Sequence, residues 1–190
     1  MVGNVKGMES TNKNKIILDL CGGTGAWSRP YAEHGYDVRL ITLPEYDVRD
    51  YEPPENVYGI LAAPPCTEFS LAKRNAARDF RSGMELVEAC LHIVWKCRVR
   101  APLAFWCLEN PRGFLRQFLG KPAMTIRYWE FGDDIGKPTD LWGYFREPKR
   151  KYTKPPALLR TWDEISGEKR TINRAKTPPG FAKAFFEANP

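Results

Sequence analysis

The chain of 190 residues, 43% apolar and 13% aromatic, is long enough to fill one core and too short for two full domains. Its five cysteines (21, 66, 90, 97 and 107) contain no Cys-x-x-Cys pair and only two histidines accompany them, which argues against a zinc site or a disulfide frame, so no metal is expected. No apolar run nears the roughly 18 residues of a membrane span, and the polar stretch 1–14 has no signal core, so the expectation is a disordered tail, a single domain at 15–190 and a cytoplasmic protein without membrane contact.

In chain order, the short apolar run 15–20 ends at glycines, as a buried parallel strand does, and 26–34 fits the helix that follows, closed by Gly35. Runs 37–42 and 57–62 repeat the strand pattern. Between 82 and 98, apolar residues at 84, 86, 87, 90, 91, 94 and 97 form a helical stripe; Cys90 and Cys97 fall in it and Cys107 in the apolar strand 103–108, so all three are expected in the core. A short helix at 112–119, late strands at 124–131 and 139–145, and a last helix at 179–188 opened by proline complete the pattern. Such alternation predicts an α/β fold of Rossmann-like type, a mostly parallel sheet with helices on both faces.

Charge is concentrated rather than spread. The stretch 146–176 holds ten Lys or Arg against four acids, the whole formal excess of +6. Together with the cations of 73–81, it suggests contact with a phosphate backbone, while a solvated surface loop is the plainer alternative.

Three motifs carry chemistry. Asp19-Leu20-Cys21-Gly22-Gly23-Thr24-Gly25 ends a strand in a glycine turn that a ligand can approach closely, with helix N–H groups beyond it. Its spacing departs from the dinucleotide fingerprint, and Thr42 stands where that fingerprint has an acid. Ala63-Pro64-Pro65-Cys66-Thr67-Glu68-Phe69-Ser70 places a thiol at the carboxyl edge of the sheet, with Lys73, Arg74, Arg78 and Arg81 near enough in sequence to favour a thiolate. Glu109-Asn110-Pro111 ends a strand at the same edge, where a carboxyl can exchange a proton with a ring nitrogen.

In this order and spacing the motifs resemble the DNA (cytosine-5) methyltransferase family: the cofactor turn, then Pro65-Cys66-Thr67-Glu68-Phe69-Ser70, then Glu109-Asn110-Pro111. The likeness covers roughly residues 15–145 and is greatest to the short members carried by phages. It implies a class I methyltransferase fold and S-adenosylmethionine as cofactor, bordered by Asp19, Cys21, Gly22, Gly23, Thr24, Gly25, Asp47 and Pro64. It also implies a Cys66 adduct at C6 of a flipped cytosine in DNA, with Glu109 at N3.

The chain departs from the family in two places. The family's Gln-x-Arg-x-Arg is replaced by a stretch that puts Lys137 and Thr139 at the arginine positions, which keeps one charge and loses the planar fork. Only about thirty residues, 146–176, stand where the family carries a target-recognition region. Base reading needs several placed side chains, whereas phosphate contact needs mainly charge, so low sequence specificity or a protein partner that supplies it is implied. A non-catalytic nucleic-acid-binding relic, or methylation of RNA or of a free cytosine nucleotide, stay open alongside DNA methylation.

Overall fold

The computed structural model describes residues 12–73, 76–159 and 176–190. Six strands form one sheet: β1 (Ile16–Leu20), β2 (Asp37–Ile41), β3 (Val57–Ala62), β4 (Phe105–Pro111), β5 (Met124–Arg127) and β6 (Pro138–Tyr144). Their spatial order is β2-β1-β3-β4-β6-β5. β2, β1, β3 and β4 run parallel, and β6 is antiparallel to both β4 and β5. The result is an α/β fold with a mixed, mostly parallel sheet, compatible with the Rossmann-like expectation.

Strand side chains alternate between two apolar layers, as a pleat requires. Ile17, Leu61, Phe105, Cys107 and Leu141 face one cluster with Tyr31 of helix α1 (Arg29–Glu33) and Phe181 and Phe185 of the last helix. Leu18, Leu20, Ile60, Ala62 and Leu108 face the other, where Val87, Cys90, Ile93, Val94 and Cys97 of α2 (Phe80–Arg100) and Leu115 of α3 (Leu115–Leu119) pack. The three cysteines expected in the core are there, each at most 2% exposed. The last helix, α4 (Pro179–Ala188), sets Phe185 against Trp27 and Phe105 with ring centroids 5.3 and 5.8 Å apart. Burial of each such ring contributes on the order of 2–3 kcal/mol.

Among the element boundaries that move, three have a plain physical reason; the helix expected at 112–119 also starts later, at Leu115. The helix expected at 26–34 is confined to Arg29–Glu33, because Pro30 fixes its first turn and the preceding residues fold as turns around the glycines. β4 continues through Glu109, Asn110 and Pro111 instead of ending at 108, because β6 pairs alongside it as far as Pro111 and Thr139. Of the run 124–131, only Met124–Arg127 is strand; Tyr128–Phe131 turns into a 3-10 helix. Asn12, placed by the sequence in a disordered tail, is buried and donates from Nδ2 to the His34 carbonyl at 3.1 Å; residues 1–11 of that tail lie outside the described residues. No helix among the described residues is long and apolar enough to cross a membrane.

Candidate active site

The chain leaves β1 to build β2 on one side and returns to build β3 on the other, so strand order reverses at β1. In open α/β sheets the crevice beyond the carboxyl ends at such a reversal receives ligands. The glycine turn follows β1 and the cysteine loop follows β3, one on each side of that crevice. Backbone bonds fix both at its floor: Ala63 N–H to the Leu20 carbonyl at 2.9 Å joins the start of the cysteine loop to the end of β1, and Cys21 N–H to the Ile41 carbonyl at 2.8 Å joins the glycine turn to the end of β2.

In the glycine turn the Asp19 carboxyl is fully buried and accepts from the Ser28 hydroxyl at 2.6 Å. Its second oxygen, Oδ1, has no hydrogen-bond partner among the protein atoms. Burial pushes the group from the ordinary 3.8 up to about 6, against the Ser28 bond. Gly22 is required because a Cβ there would come within 2.3 Å of that carboxyl. Gly23 is required by its conformation, φ +56, and opens onto space with nothing within 4 Å of a Cβ. Gly23 and Thr24 are exposed, so the turn presents backbone outward. Beyond the turn, Gly25 N–H is bonded to the Gly22 carbonyl and Arg29 N–H to the Gly25 carbonyl.

Asp47 lies close enough to the turn to raise the Cys21 thiol. Its carboxylate is nevertheless held by the Arg49 guanidinium and backbone N–H, which keep it below the usual carboxylate range. It is therefore engaged within its own loop. Pro64 is buried, and its carbonyl accepts from Asn110 Nδ2 at 2.9 Å, a bond that docks the cysteine loop on the end of β4. Phe69 and Ser70 N–H groups both bond the Cys66 carbonyl, so the chain turns tightly at the thiol.

Cys66 is half-buried. Burial raises its thiol above the ordinary value, the positive charge of Lys137 lowers it, and the negative charge of Glu109 raises it. The structure thus brings together the three residues singled out for catalysis from β3, β4 and the loop before β6. The cations of 73–81 behave otherwise than expected. Lys73 is paired with Glu68 at 2.6 Å, and Arg78 donates to the Glu68 and Lys73 carbonyls with its guanidinium over the Phe114 ring. They brace the loop instead of polarising the thiol; Arg81 is exposed and Arg74 lies outside the described residues.

Tyr128 is a member of the site that sequence reasoning missed. Its buried hydroxyl donates to Glu109 Oε1 at 3.1 Å. The only trace of it in the sequence is an aromatic in a run that reads as strand. Nearby, Asp133 accepts from the N–H groups of Gly180 and Phe181 at 2.9 and 3.0 Å and so caps α4, fixing the turn that leads to Lys137. A cavity of about 1050 Å³ opens between α1, α4 and the 132–135 turn. It begins at Ala26, beside the glycine turn, and Cys66 is not on its wall.

The basic segment is described over 146–159; residues 160–175 lie outside the described residues. It starts at the far end of the sheet, where Arg146 exchanges hydrogen bonds with Asn189. It then crosses the β5 edge, with Lys151 and Tyr152 N–H groups on the Glu130 carbonyl, and brings Leu159 against Gly136, next to Lys137. Lys149, Lys151 and Lys154 are exposed along this path, while Arg150 is paired with Glu130 at 3.3 Å.

The opposed charges at Cys66 give a direct test. Alkylation by neutral iodoacetamide follows the thiolate fraction. At pH 8, Lys137→Met slows the reaction of Cys66 and Glu109→Gln speeds it, each by roughly 3- to 10-fold for the loss of one charge acting on the thiol. Peptide mass spectrometry over time reads both, and equal rates in all three proteins would remove these groups from the thiol's surroundings.

No family model matches the chain, and no curated protein matches it.

Proposed function

We propose that the chain is a class I methyltransferase that transfers a methyl group from S-adenosylmethionine to C5 of cytosine in DNA, through a covalent bond between Cys66 and C6. The observation that carries this reading is the convergence of Cys66, Glu109 and Lys137 beside a glycine turn at the point where strand order reverses.

The residues of the turn fit the cofactor. Gly23 and Thr24 present backbone outward, Gly22 and Gly25 pack the turn against Asp19, Ser28 and Leu40, and Asp19 Oδ1 is a buried acceptor awaiting a donor such as an ammonium. Cys21 contributes its backbone alone, because its thiol is turned toward α2. Asp47 is left out of the assignment, since Arg49 holds its carboxylate. When bound, the cofactor supplies an electrophilic methyl group.

The chain's own residues do the rest. The Cys66 thiol, once deprotonated, adds to C6 and pushes electron density toward C5 and the N3 side. Glu109, oriented by the Tyr128 hydroxyl, meets N3; its carboxylate takes up the proton that the thiol releases and passes it to N3, which spreads this charge. Lys137 favours the thiolate before attack. After C5 has been methylated its proton passes to solvent water, N3 returns its proton to Glu109, and Cys66 is expelled as a thiolate as the C5–C6 double bond reforms. Asn110, through the Pro64 carbonyl, keeps the loop seated during both steps. The target is a polymer because the exposed lysines of 149–154 lead toward Lys137, where they can follow a phosphate backbone. Contacts of this kind carry charge rather than base identity, so a partner or low specificity goes with them.

The test is a mixture of protein, S-adenosylmethionine and DNA containing 5-fluorocytosine, in which the C5 substituent cannot leave. A complex that survives denaturation and maps to Cys66 is the expected result; free DNA alone would overturn the reading. Parallel incubations with RNA and with dCMP separate the three cytosine-bearing substrates.

A further inference from the structure

The sulfur of Cys21 lies 4.0 Å from the sulfur of Cys90, and neither takes part in the chemistry assigned to Cys66. They come from different layers. Cys21 is the first residue after β1 and is half-buried at the rim of the crevice, whereas Cys90 is fully buried in the middle of α2. We infer that Cys21 and Cys90 form a hydroperoxide-sensitive dithiol site, which oxidation closes into a disulfide tying the glycine turn to α2.

The distance is the first support. To reach a bond of about 2.05 Å the sulfurs must approach by roughly 2 Å, within reach of side-chain rotation and a small shift of the turn. Exposure assigns the order of events, since an oxidant arriving from solvent meets Cys21 first and Cys90 lies behind it. The hydrogen bond between the two acts in the same sense: it lowers the Cys21 thiol and raises that of Cys90.

The step balances with a hydroperoxide as the oxidant. The Cys21 thiolate attacks one peroxide oxygen, the O–O bond breaks, and the departing oxygen takes a proton to leave as water or an alcohol. Cys21 is then a sulfenic acid. The Cys90 sulfur attacks the Cys21 sulfur and displaces hydroxide, which leaves as water with the Cys90 proton. Two thiols lose two electrons and one hydroperoxide gains them. Cys21 has a left-handed backbone, φ 56, and its N–H is fixed on the Ile41 carbonyl. The pull of the new bond therefore falls on Gly22–Gly25.

Tryptic fragments 16–39 and 82–96 each carry one of these cysteines and no other, and Cys66 lies apart in fragment 50–73. Protein treated with hydrogen peroxide and then with iodoacetamide is expected to yield 16–39 joined to 82–96, two hydrogens lighter than their sum, for most of the Cys21 present. Dithiothreitol should return both fragments. In Cys90→Ala the same dose should stop at a Cys21 sulfenic acid that dimedone traps. The inference is overturned if Cys21 of the unaltered protein remains alkylated by iodoacetamide at doses that oxidise Cys66. A Cys21 cross-link to any other cysteine, or a Cys21 sulfenic acid that never cross-links, overturns it too. The readout is a fragment mass, so it stands independently of methyl transfer.

Discussion

Replacing Cys66 by serine is expected to lower transfer of tritiated methyl from S-adenosylmethionine to DNA by about 10⁴-fold or more, the scale on which removing a nucleophile acts. An alcohol at this position has the size of the thiol but is a far weaker acid and nucleophile, in surroundings where burial already opposes ionisation of the thiol and Lys137 supplies charge, not a base. The fold should not register the change. Cys66 is half-buried and belongs to neither apolar cluster, so denaturant midpoints should agree within about 0.5 kcal/mol. A serine variant that keeps full transfer would remove the covalent step, and one that unfolds would assign the residue to packing.

The second large effect is one of stability and runs the other way. Asp19 holds its proton up to about pH 6 in the folded chain, against 3.8 for the free group. Between those values the folded form binds more protons at this group than the unfolded one, so the contribution of Asp19 to stability is greatest below about pH 4 and falls as pH rises to about 6. Two pH units at about 1.4 kcal/mol each amount to about 3 kcal/mol. Asp19→Asn is isosteric, can keep the acceptor for Ser28, and cannot ionise. It is expected to match the unaltered protein at pH 4 and to exceed it by about 3 kcal/mol at pH 7.5, a gain in Tm of about 6–12 °C. Urea titrations at several pH values check this, and a slope between pH 4 and 6 that persists in the variant would contradict it. The same substitution should weaken binding of S-adenosylmethionine in calorimetry, because the anionic oxygen is what an ammonium would meet. A buried carboxylate retained at a cost to stability is what a binding function explains and packing does not.

Much of this site was legible as residue order. Short apolar runs before glycines and prolines mark β1 and β3 because a buried parallel strand needs apolar residues on both faces, and Val57–Ala62 and Pro179–Ala188 fall where the pattern puts them. What the pattern could not carry were contacts made by residues far apart in the chain. Glu109 reads as lying beyond its strand because the partner that extends the pairing, β6, is thirty residues away. Lys73 and Arg78 read as cations near a thiol, yet Glu68 and the loop carbonyls claim them. Lys137 was found through its place in a degraded motif, and only the fold shows its charge acting on Cys66. Tyr128 gave only an aromatic in a strand-like run, since a hydroxyl aimed at a carboxylate has no periodicity.

The position of β6 also bears on how the protein is made. It is the last of the described strands to leave the ribosome, yet it belongs between two strands synthesised before it. Until it arrives, β4 has unpaired amide and carbonyl groups along one side, and Glu109 lacks the wall that shelters it. A nascent chain stalled before residue 138 therefore offers a sticky ribbon to other chains, and chaperones would find their substrate at this stage of synthesis.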